Sequence, residues 1–386
     1  MAVFFTVFFS LYTLINTYIF IRGWQSLSIY PHLRIFYAII FVIAASSYIV
    51  AKAFANHLPD FVYSGMVWIG SFWFMFLFYF FLAILLIDVI RLLNHFINFL
   101  PETVYHNPER TRFYVASAVV LITLIVSVYG YFNRLNIKTK ELEITLNEKP
   151  LKEYRIIFFS DLHISVVNNH SFLKNVVDKI NSHNPDLILI GGDLIDEKAN
   201  KLRKLKLADE LKNLKSRFGV YSITGNHEFI NQADSTTKFL SELGIKFIRD
   251  EVVLIDSSFY VIGREDFSKD NFTGIKRKSL EELVKNLDKD KPKILLDHQP
   301  LNLNEAVENS IDLQLSGHTH HGQIAPANLI TNKVYELSWG YKKKGKTHFY
   351  VSSGLGTWGP PIKIGNDAEL ILIKFKGFHY SDKNLD

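Results

Sequence analysis

The chain of 386 residues contains no cysteine, so no disulfide braces it in any compartment. That absence does not choose a side of a membrane. Charge is missing in a patterned way: Val3 to Ile21, Ile35 to Ala51, Met66 to Ile87 and Phe113 to Phe132 hold no Asp, Glu, Lys or Arg. Each run approaches the roughly 20 residues a helix needs to cross a bilayer. Residues 1–133 therefore read as an N-terminal all-α transmembrane bundle of four helices. The second run is the shortest and extends past Lys52, whose long side chain snorkels toward a headgroup. The start, Met1-Ala2-Val3-Phe4, lacks a basic segment, and no small-residue cleavage site follows, which argues against a signal peptide. No ionisable group lies deep in a run, which argues against transport by the bundle. Asp88 and Arg91, three apart at the end of the third run, read as a juxtamembrane ion pair. Trp68, Trp73 and the aromatics from Phe72 to Phe81 read as lipid-facing and packing bulk. An interleaved basic and aromatic platform is also missing, so no nucleic-acid partner is expected.

What is present divides the chain in two. The sequence is 48% hydrophobic with 32 Phe, and the excess lies before about residue 133. A formal net charge of +5 suits a chain held against anionic lipid, and a lipid bilayer is the first expected partner. Arg22 and Arg34 flank the first loop, and Arg91, Arg110 and Arg112 the third, whereas the second offers Lys52 against Asp60. Positive-inside reasoning then places the N-terminus and the C-terminal domain outside the cytoplasm. Arg134, Lys138 and Lys140 pull the other way.

From Ile137 the texture becomes α/β, with one domain expected over 137–380. Tyr154–Phe159, Leu187–Ile190, Val220–Ile223, Lys293–Leu296 and Leu313–Leu315 read as buried strands. Phe172–Ser182, Leu202–Lys215, Ser235–Leu243 and Lys278–Leu287 read as helices between them. Further strands at Leu142–Leu146, Val252–Ile255, Phe259–Ile262, Phe349–Ser352 and Leu370–Phe375 supply a second sheet, permitting a β-sandwich wrapped by helices. No internal repeat or low-complexity linker interrupts the pattern.

Five clusters follow the apolar runs: Asp161-Leu162-His163, Gly192-Asp193-Leu194-Ile195-Asp196, Gly225-Asn226-His227-Glu228, His298, and Gly317-His318-Thr319-His320. Carboxylate, imidazole and amide oxygen are hard or borderline metal ligands, and strands would deliver them to one rim. Alone, each cluster has an ordinary reading as a helix cap, a packed imidazole or turn chemistry. Jointly they read as a two-metal hydrolytic centre.

The series resembles the calcineurin-like metallophosphoesterase superfamily. The form Gly-His-Thr-His-x-Gly-Gln is most similar to its membrane-associated bacterial branch, which holds exported phosphodiesterases and UDP-2,3-diacylglucosamine pyrophosphatases of lipid A synthesis. The resemblance covers roughly residues 150–375 and implies a four-layer αββα sandwich with metals at the strand ends. It implies that Asp161, His163 and His320 hold one divalent ion, Asn226, His298 and His318 a second, and that Asp193 bridges both. A hydroxide shared by the ions would be the nucleophile, His227 would protonate the leaving oxygen, and Asp196 would orient His227. The mixed shell accepts Mn, Fe or Zn. The backbone around Gly225 and Gly317 is expected to turn tightly.

Departures narrow the substrate. Glu197 stands where the protein-phosphatase branch carries a phosphoryl-gripping arginine, which argues against phosphoproteins. His321 stands where glycine is usual and reads as a neutral loop residue. Lys363, near the end of the Ser353–Lys363 tail, replaces an arginine and keeps charge without the bidentate fork. Two basic stretches, from Lys198 to Lys206 and from Lys342 to Lys346, read either as a site rim or as a solvated helix face and hairpin tip. The expected function is a membrane-anchored phosphoesterase acting on a phosphorylated small molecule or lipid. A cytoplasm-facing lipid A precursor pyrophosphatase and a membrane sensor or transporter with a regulatory metal domain are the alternatives. Nothing in the sequence sets the oligomeric state.

Overall fold

The structure, a computed structural model, describes residues 2–378, with side chains from Thr6 onward. Residues 379 and 380, the expected end of the domain, lie outside the described range. The chain forms two compact units, one of residues 1–130 with 359–361 and one of residues 131–358 with 362 onward.

The first unit is helical: Ala2–Ser26, Leu33–Ala53, Asp60–Ile97, a single turn Thr103–His106, and Pro108–Leu135, whose last turn belongs to the second unit. Among the described residues three helices, Leu33–Ala53, Asp60–Ile97 and Pro108–Leu135, are long and apolar enough to cross a membrane. That is one fewer than expected. The run Val3–Ile21 is helical, but Thr13, Asn16 and Thr17 dilute its described part, and the side chains before Thr6 lie outside the description. The third helix is 38 residues long and overruns the expected Met66–Ile87 at both ends. It packs on the second where Gly70 leaves room, since a Cβ there would strike the backbone of Tyr48. Trp73 meets Phe41 edge-on, 4.7 Å between centroids, and its indole N–H donates to Asn16 Oδ1 at 3.0 Å. Asp88 pairs with Arg91 at 3.4 Å and also accepts from Tyr18 and Arg22.

Among the described residues the second unit holds twelve strands. In chain order they are β1 (Lys138–Pro150), β2 (Tyr154–Phe159), β3 (Leu187–Ile190), β4 (Val220–Ser222), β5 (Ile245–Phe247), β6 (Glu251–Ile255), β7 (Phe259–Gly263), β8 (Lys293–Leu296), β9 (Leu313–Ser316), β10 (Gly340–Lys344), β11 (Thr347–Val351) and β12 (Glu369–Phe378). One sheet runs β1-β12-β2-β3-β4-β5 and the other β10-β11-β9-β8-β7-β6. β2, β3, β4 and β5 are mutually parallel, as are β7, β8, β9 and β11. The inner ones, such as β2, β3, β8 and β9, are buried almost throughout, which is why they read as apolar runs. The sheets share one core: Ile156, Phe158, Leu189 and Phe375 of the first meet Val261, Leu296, Leu315 and Tyr350 of the second. Helix His170–Ser182 buries Leu173, Val176, Val177 and Ile180, a helical spacing, and Asn169 caps its start by accepting from the Phe172 N–H.

Some expectations shift. The stretch Leu202–Lys215 is not one helix: Ala199–Leu205 stops at Lys206, in the left-handed region at φ 52°, and a 3₁₀ turn follows at Asp209–Asn213. The Lys342–Lys346 stretch is a hairpin between β10 and β11, with Lys342 and Lys344 paired to Glu336 and Lys346 to Glu148.

Candidate metal centre

Five parallel strands place the clusters. Asp161 and His163 follow β2, Asp193 and Asp196 follow β3, Asn226 and His227 follow β4, His298 follows β8, and His318 and His320 follow β9. The carboxyl ends of parallel strands leave a crevice in which ligands collect. The local backbone is unusual, because Asp161, His163, Asp193, His318 and His320 all sit at positive φ, between 46° and 69°. Non-glycine residues rarely adopt that region, and such strain collects at functional sites. Around Gly317 the chain turns tightly through His318 at φ 69°, with the Thr319 N–H donating to the Gly317 carbonyl at 2.8 Å, but the glycines themselves are not at positive φ, Gly225 lying at −104°. Space requires them, since a Cβ on Gly225 would overlap Asp193 Oδ1 and one on Gly317 would overlap Asp161 and Ser160.

The side chains converge on two positions. At the first, His163 Nε2 and His320 Nε2 face each other at 2.9 Å, with Asp161 Oδ1 3.6 Å from His320 Nε2 and Asp193 Oδ2 3.9 Å from His163 Nε2. At the second, His298 Nε2 lies 3.2 Å from Asp193 Oδ2, and His318 Nδ1 lies 3.0 Å from Asn226 Oδ1. Asp161, His163 and His320 form one geometrically competent ligand group and Asp193, His298 and His318 another; a third, His163, Asp193 and His227, overlaps both. Asp193 Oδ2 is common ground, while Oδ1 accepts the His227 N–H at 2.8 Å.

The donors fit cations. His163 Nδ1 lies 2.7 Å from the Asp196 carboxylate and His298 Nδ1 lies 2.7 Å from the Gly191 carbonyl, so both protons sit on Nδ1 and both Nε2 lone pairs face inward. His298 Nε2 is buried without a hydrogen bond. His163 Nε2 faces His320 Nε2 at 2.9 Å beside a buried carboxylate, and His320 Nδ1 is buried without a hydrogen bond, a crowding of donor nitrogens that a metal ion resolves.

The buried charges of the site act strongly on one another. Burial opposes the charge on Asp193, yet His298 and His227 hold its carboxyl well below the usual range. Burial likewise opposes the His298 imidazolium, but Asp193 draws its affinity well upward. His320 is pushed well down by burial and by His163. His227, penalised by burial but facing Asp193 and Asp196, rises to about 9. Asp196 Oδ1 lies 2.6 Å from His227 Nδ1 and 2.7 Å from His163 Nδ1. It does not cap the following helix, whose N-cap is Lys198. His321 binds Ser338 Oγ at 2.9 Å and stays outside the three groups.

The roles of several supporting residues escaped the sequence. Glu228 accepts from the N–H groups of Asp193, Leu194 and Gly225 at 3.0, 2.8 and 2.7 Å, clamping the Asp193 loop to the turn that carries Asn226. Its place three residues after Gly225, the spacing of a capping box, is the signal that could have found it. Burial, then Asp193, raises its carboxyl to about 7. Asp297 receives Arg277 at 2.8 Å and Arg264 at 3.3 Å just before His298. Lys363 is wholly buried and donates to the Ser353 and Gly354 carbonyls, 2.6 Å each.

Comparison with known proteins supplies the class. Residues 154–322 match the model of the calcineurin-like phosphoesterase family. An uncharacterized metallophosphoesterase of Helicobacter pylori strain J99 is 34% identical over 268 residues, covering 66% of this chain and 69% of that one. A Bos taurus protein, named transmembrane protein with metallophosphoesterase domain, is 30% identical over 269 residues, 65% of this chain and 60% of that one. The 5'-nucleotidase precursor of Thermus thermophilus has a TM-score of 0.35 and 14% identity over 58% of this chain and 55% of that one, too distant to carry an argument. The chain belongs to the calcineurin-like metallophosphoesterase family, and it is a metal-dependent phosphoric ester hydrolase.

Proposed function

We propose that the chain is a membrane-anchored phosphoesterase with a dinuclear centre, acting on a phosphodiester, phosphomonoester or pyrophosphate that carries an apolar portion. The observation behind the two-ion reading is the position of Asp193 Oδ2, 3.2 Å from His298 Nε2 and 3.9 Å from His163 Nε2. Asp161, His163 and His320 would hold one ion, Asn226, His298 and His318 the other, with Asp193 shared. Two divalent ions, Mn, Fe or Zn, supply Lewis acidity toward phosphoryl oxygens and an activated water. His227 then gives a proton to the leaving oxygen. Asp196 fixes its ring by accepting from Nδ1, which leaves Nε2 facing the substrate space.

An apolar rim supports the amphiphilic substrate. Leu329, Ile330 and Val334 are exposed on helix Asn328–Val334, and the next residue, Tyr335, lies 6.2 Å from the His318 ring. Exposed Phe272 stacks on Phe229, two residues past His227, with exposed Ile275 beyond it. Trp358, also exposed, lies 6.1 Å from the His227 ring. Exposed Lys276, Lys278 and Lys333 lie in the same segments, suiting an anionic lipid surface. In this reading the arginine-flanked loops argue for a catalytic domain outside the cytoplasm, and helices cover both outer faces of the paired sheets.

The test uses the full chain in lipid nanodiscs, stripped of metal and then given Mn, Zn or Fe. Metal-dependent hydrolysis of bis(p-nitrophenyl) phosphate or p-nitrophenyl phosphate, abolished by Asp193→Ala and His227→Ala, is expected. Two bound ions without turnover on these esters or on a long-chain phosphodiester would overturn the enzymatic reading in favour of a sensor.

A further inference from the structure

Two adjacent residues in the last turn of helix Pro108–Leu135 reach the backbone of two metal-site histidines. Arg134 is 3% exposed, and its Nη1 donates to Asn168 Oδ1 at 2.7 Å. Asn168 in turn donates from Nδ2 to the carbonyls of Leu162, His163 and Thr357 at 3.2, 3.0 and 2.8 Å. On the other branch, Asn133 Nδ2 donates to the carbonyls of Lys363 and Asn366 at 3.1 and 2.8 Å. Asn366 Nδ2 then donates to the His320 carbonyl at 2.6 Å. One helical turn thus grips the main chain of both His163 and His320.

Those two residues need holding. Each sits in the left-handed region, His163 at φ 48° and His320 at φ 46°, a conformation that persists only where surroundings over-determine it. Their Nε2 atoms approach to 2.9 Å, so a small shift of either loop changes the opening between them. Arg134 is an expensive way to fill space: its Nε is buried without a hydrogen bond, it pairs with no carboxylate among the described residues, and its plane lies over Tyr131 and Phe172. A buried cation of that kind is unfavourable unless its bonds matter. Its bond goes to the one side chain that ties Leu162, His163 and Thr357 together.

We propose that Asn133 and Arg134 are positioning residues of the metal centre: acting through Asn366 and Asn168, they set the spacing of His163 and His320 and so the affinity of the first metal position. The inference rests on the dinuclear reading above. It also implies that a soluble fragment beginning after Leu135 is a defective catalytic domain, because the hydrogen bonds that hold the first position are cut away with the helix.

The test is a metal titration of the full chain in detergent, stripped and then followed calorimetrically with Mn and by the ligand-field bands of Co. Asn133→Ala and Arg134→Met are expected to weaken the first position by roughly tenfold or more, the range seen when groups orienting metal ligands are removed. The second position, marked by its loss in Asn226→Ala, stays within about twofold. Arg134→Lys, which keeps a donor, recovers part of the affinity. Leu283→Ala, a core truncation in helix Leu280–Val284, which packs with Ile262 and Leu295 of the second sheet, serves as the stability control: a lowered melting temperature with unchanged metal affinity in Asn133→Ala would make the turn a mere packing element and overturn the proposal. Should Arg134→Met fail to fold, the half-buried Asn133→Ala decides alone. Fewer than two ions on the unaltered chain would sink the dinuclear reading instead, and a drop at the remaining position would still support the relay.

Discussion

The helical unit and the catalytic unit treat buried polar groups in opposite ways. In the helices such groups are scattered and settle with one another, Asn16 with Trp73 and Asp88 with Tyr18, Arg22 and Arg91. In the catalytic unit the strands that carry the clusters are largely apolar, yet past their carboxyl ends Asp161, His163, Asp193, Glu228, His298 and His320 are all buried together. What separates the two is convergence, since the helical unit also leaves Ser28 Oγ and Arg34 Nε without a hydrogen bond, but singly. Asn16 and Trp73 satisfy each other, whereas His298 Nε2 is buried without a hydrogen bond and the Nε2 atoms of His163 and His320 crowd together at 2.9 Å. A site is marked by convergent polar groups that the protein itself does not satisfy.

The largest expected effect breaks that comparison at its centre. Asp193→Ala removes the oxygen common to both positions and is expected to lower both metal stoichiometry and turnover. His227→Ala keeps the metals and loses roughly 10²–10⁴-fold in turnover, the scale of a positioned acid. Asn16→Leu, by contrast, strands the Trp73 N–H at a cost of about 1–3 kcal/mol and leaves turnover alone. Parallel metal analysis and initial rates on the three variants check this.

Next comes packing. Phe158 on β2 is wholly buried between the sheets, and Phe158→Ala is expected to cost about 3–5 kcal/mol. Phe41, buried against Trp73 in the helices, gains less from burial if lipid is the alternative, since acyl chains are as apolar as its neighbours. Denaturation of the full chain in nanodiscs should rank Phe158→Ala well above Phe41→Ala.

How much of this was legible follows from how each residue acts. The ligands were readable because each ends an apolar run, and a strand end is where a side chain can be both fixed and exposed to a ligand. Glu228, Asn168 and Arg134 were not, because they bond to backbone or to other supporting side chains and leave no recurring pattern of ligand types. The break at Lys206 carries no glycine or proline to announce it. β5 is three residues long, and β10 is a lysine run that reads equally as a loop. Helix Asn328–Val334 has the opposite difficulty: its apolar residues face outward, so a reading that sends apolar residues to the core finds no place for it.

Lys363 sharpens the comparison through pH. The snorkelling expected of Lys52 keeps a lysine charged, whereas burial pushes the Lys363 amine down to about 8 from 10.5. A lysine with a lowered folded pKa destabilises the fold fully below that value, and the penalty lifts as pH rises from about 8 toward 10.5. At most this is roughly 3 kcal/mol. The neutral amine still has two hydrogens for the Ser353 and Gly354 carbonyls. Relative to Lys363→Met, the unaltered chain should therefore gain melting temperature across that window, and a difference independent of pH would show that the amine is not the titrating group.

The smallest effect on stability, and the one that separates exposed apolar surface of two kinds, belongs to the rim. Leu329, Ile330 and Val334 are 62%, 66% and 64% exposed, so changing all three to serine should move stability by no more than about 0.5 kcal/mol each. In the membrane-anchored reading the same exposure in helix Leu33–Ala53 faces lipid, and a serine there would meet lipid instead of water. If the rim also meets lipid or an acyl chain, the triple variant lowers turnover of a long-chain phosphodiester relative to bis(p-nitrophenyl) phosphate by roughly tenfold, the worth of a few buried methylenes. An unchanged ratio would mean that these side chains face water during catalysis, and the apolar portion of the substrate would have to be sought on the Phe272 and Trp358 side of the centre.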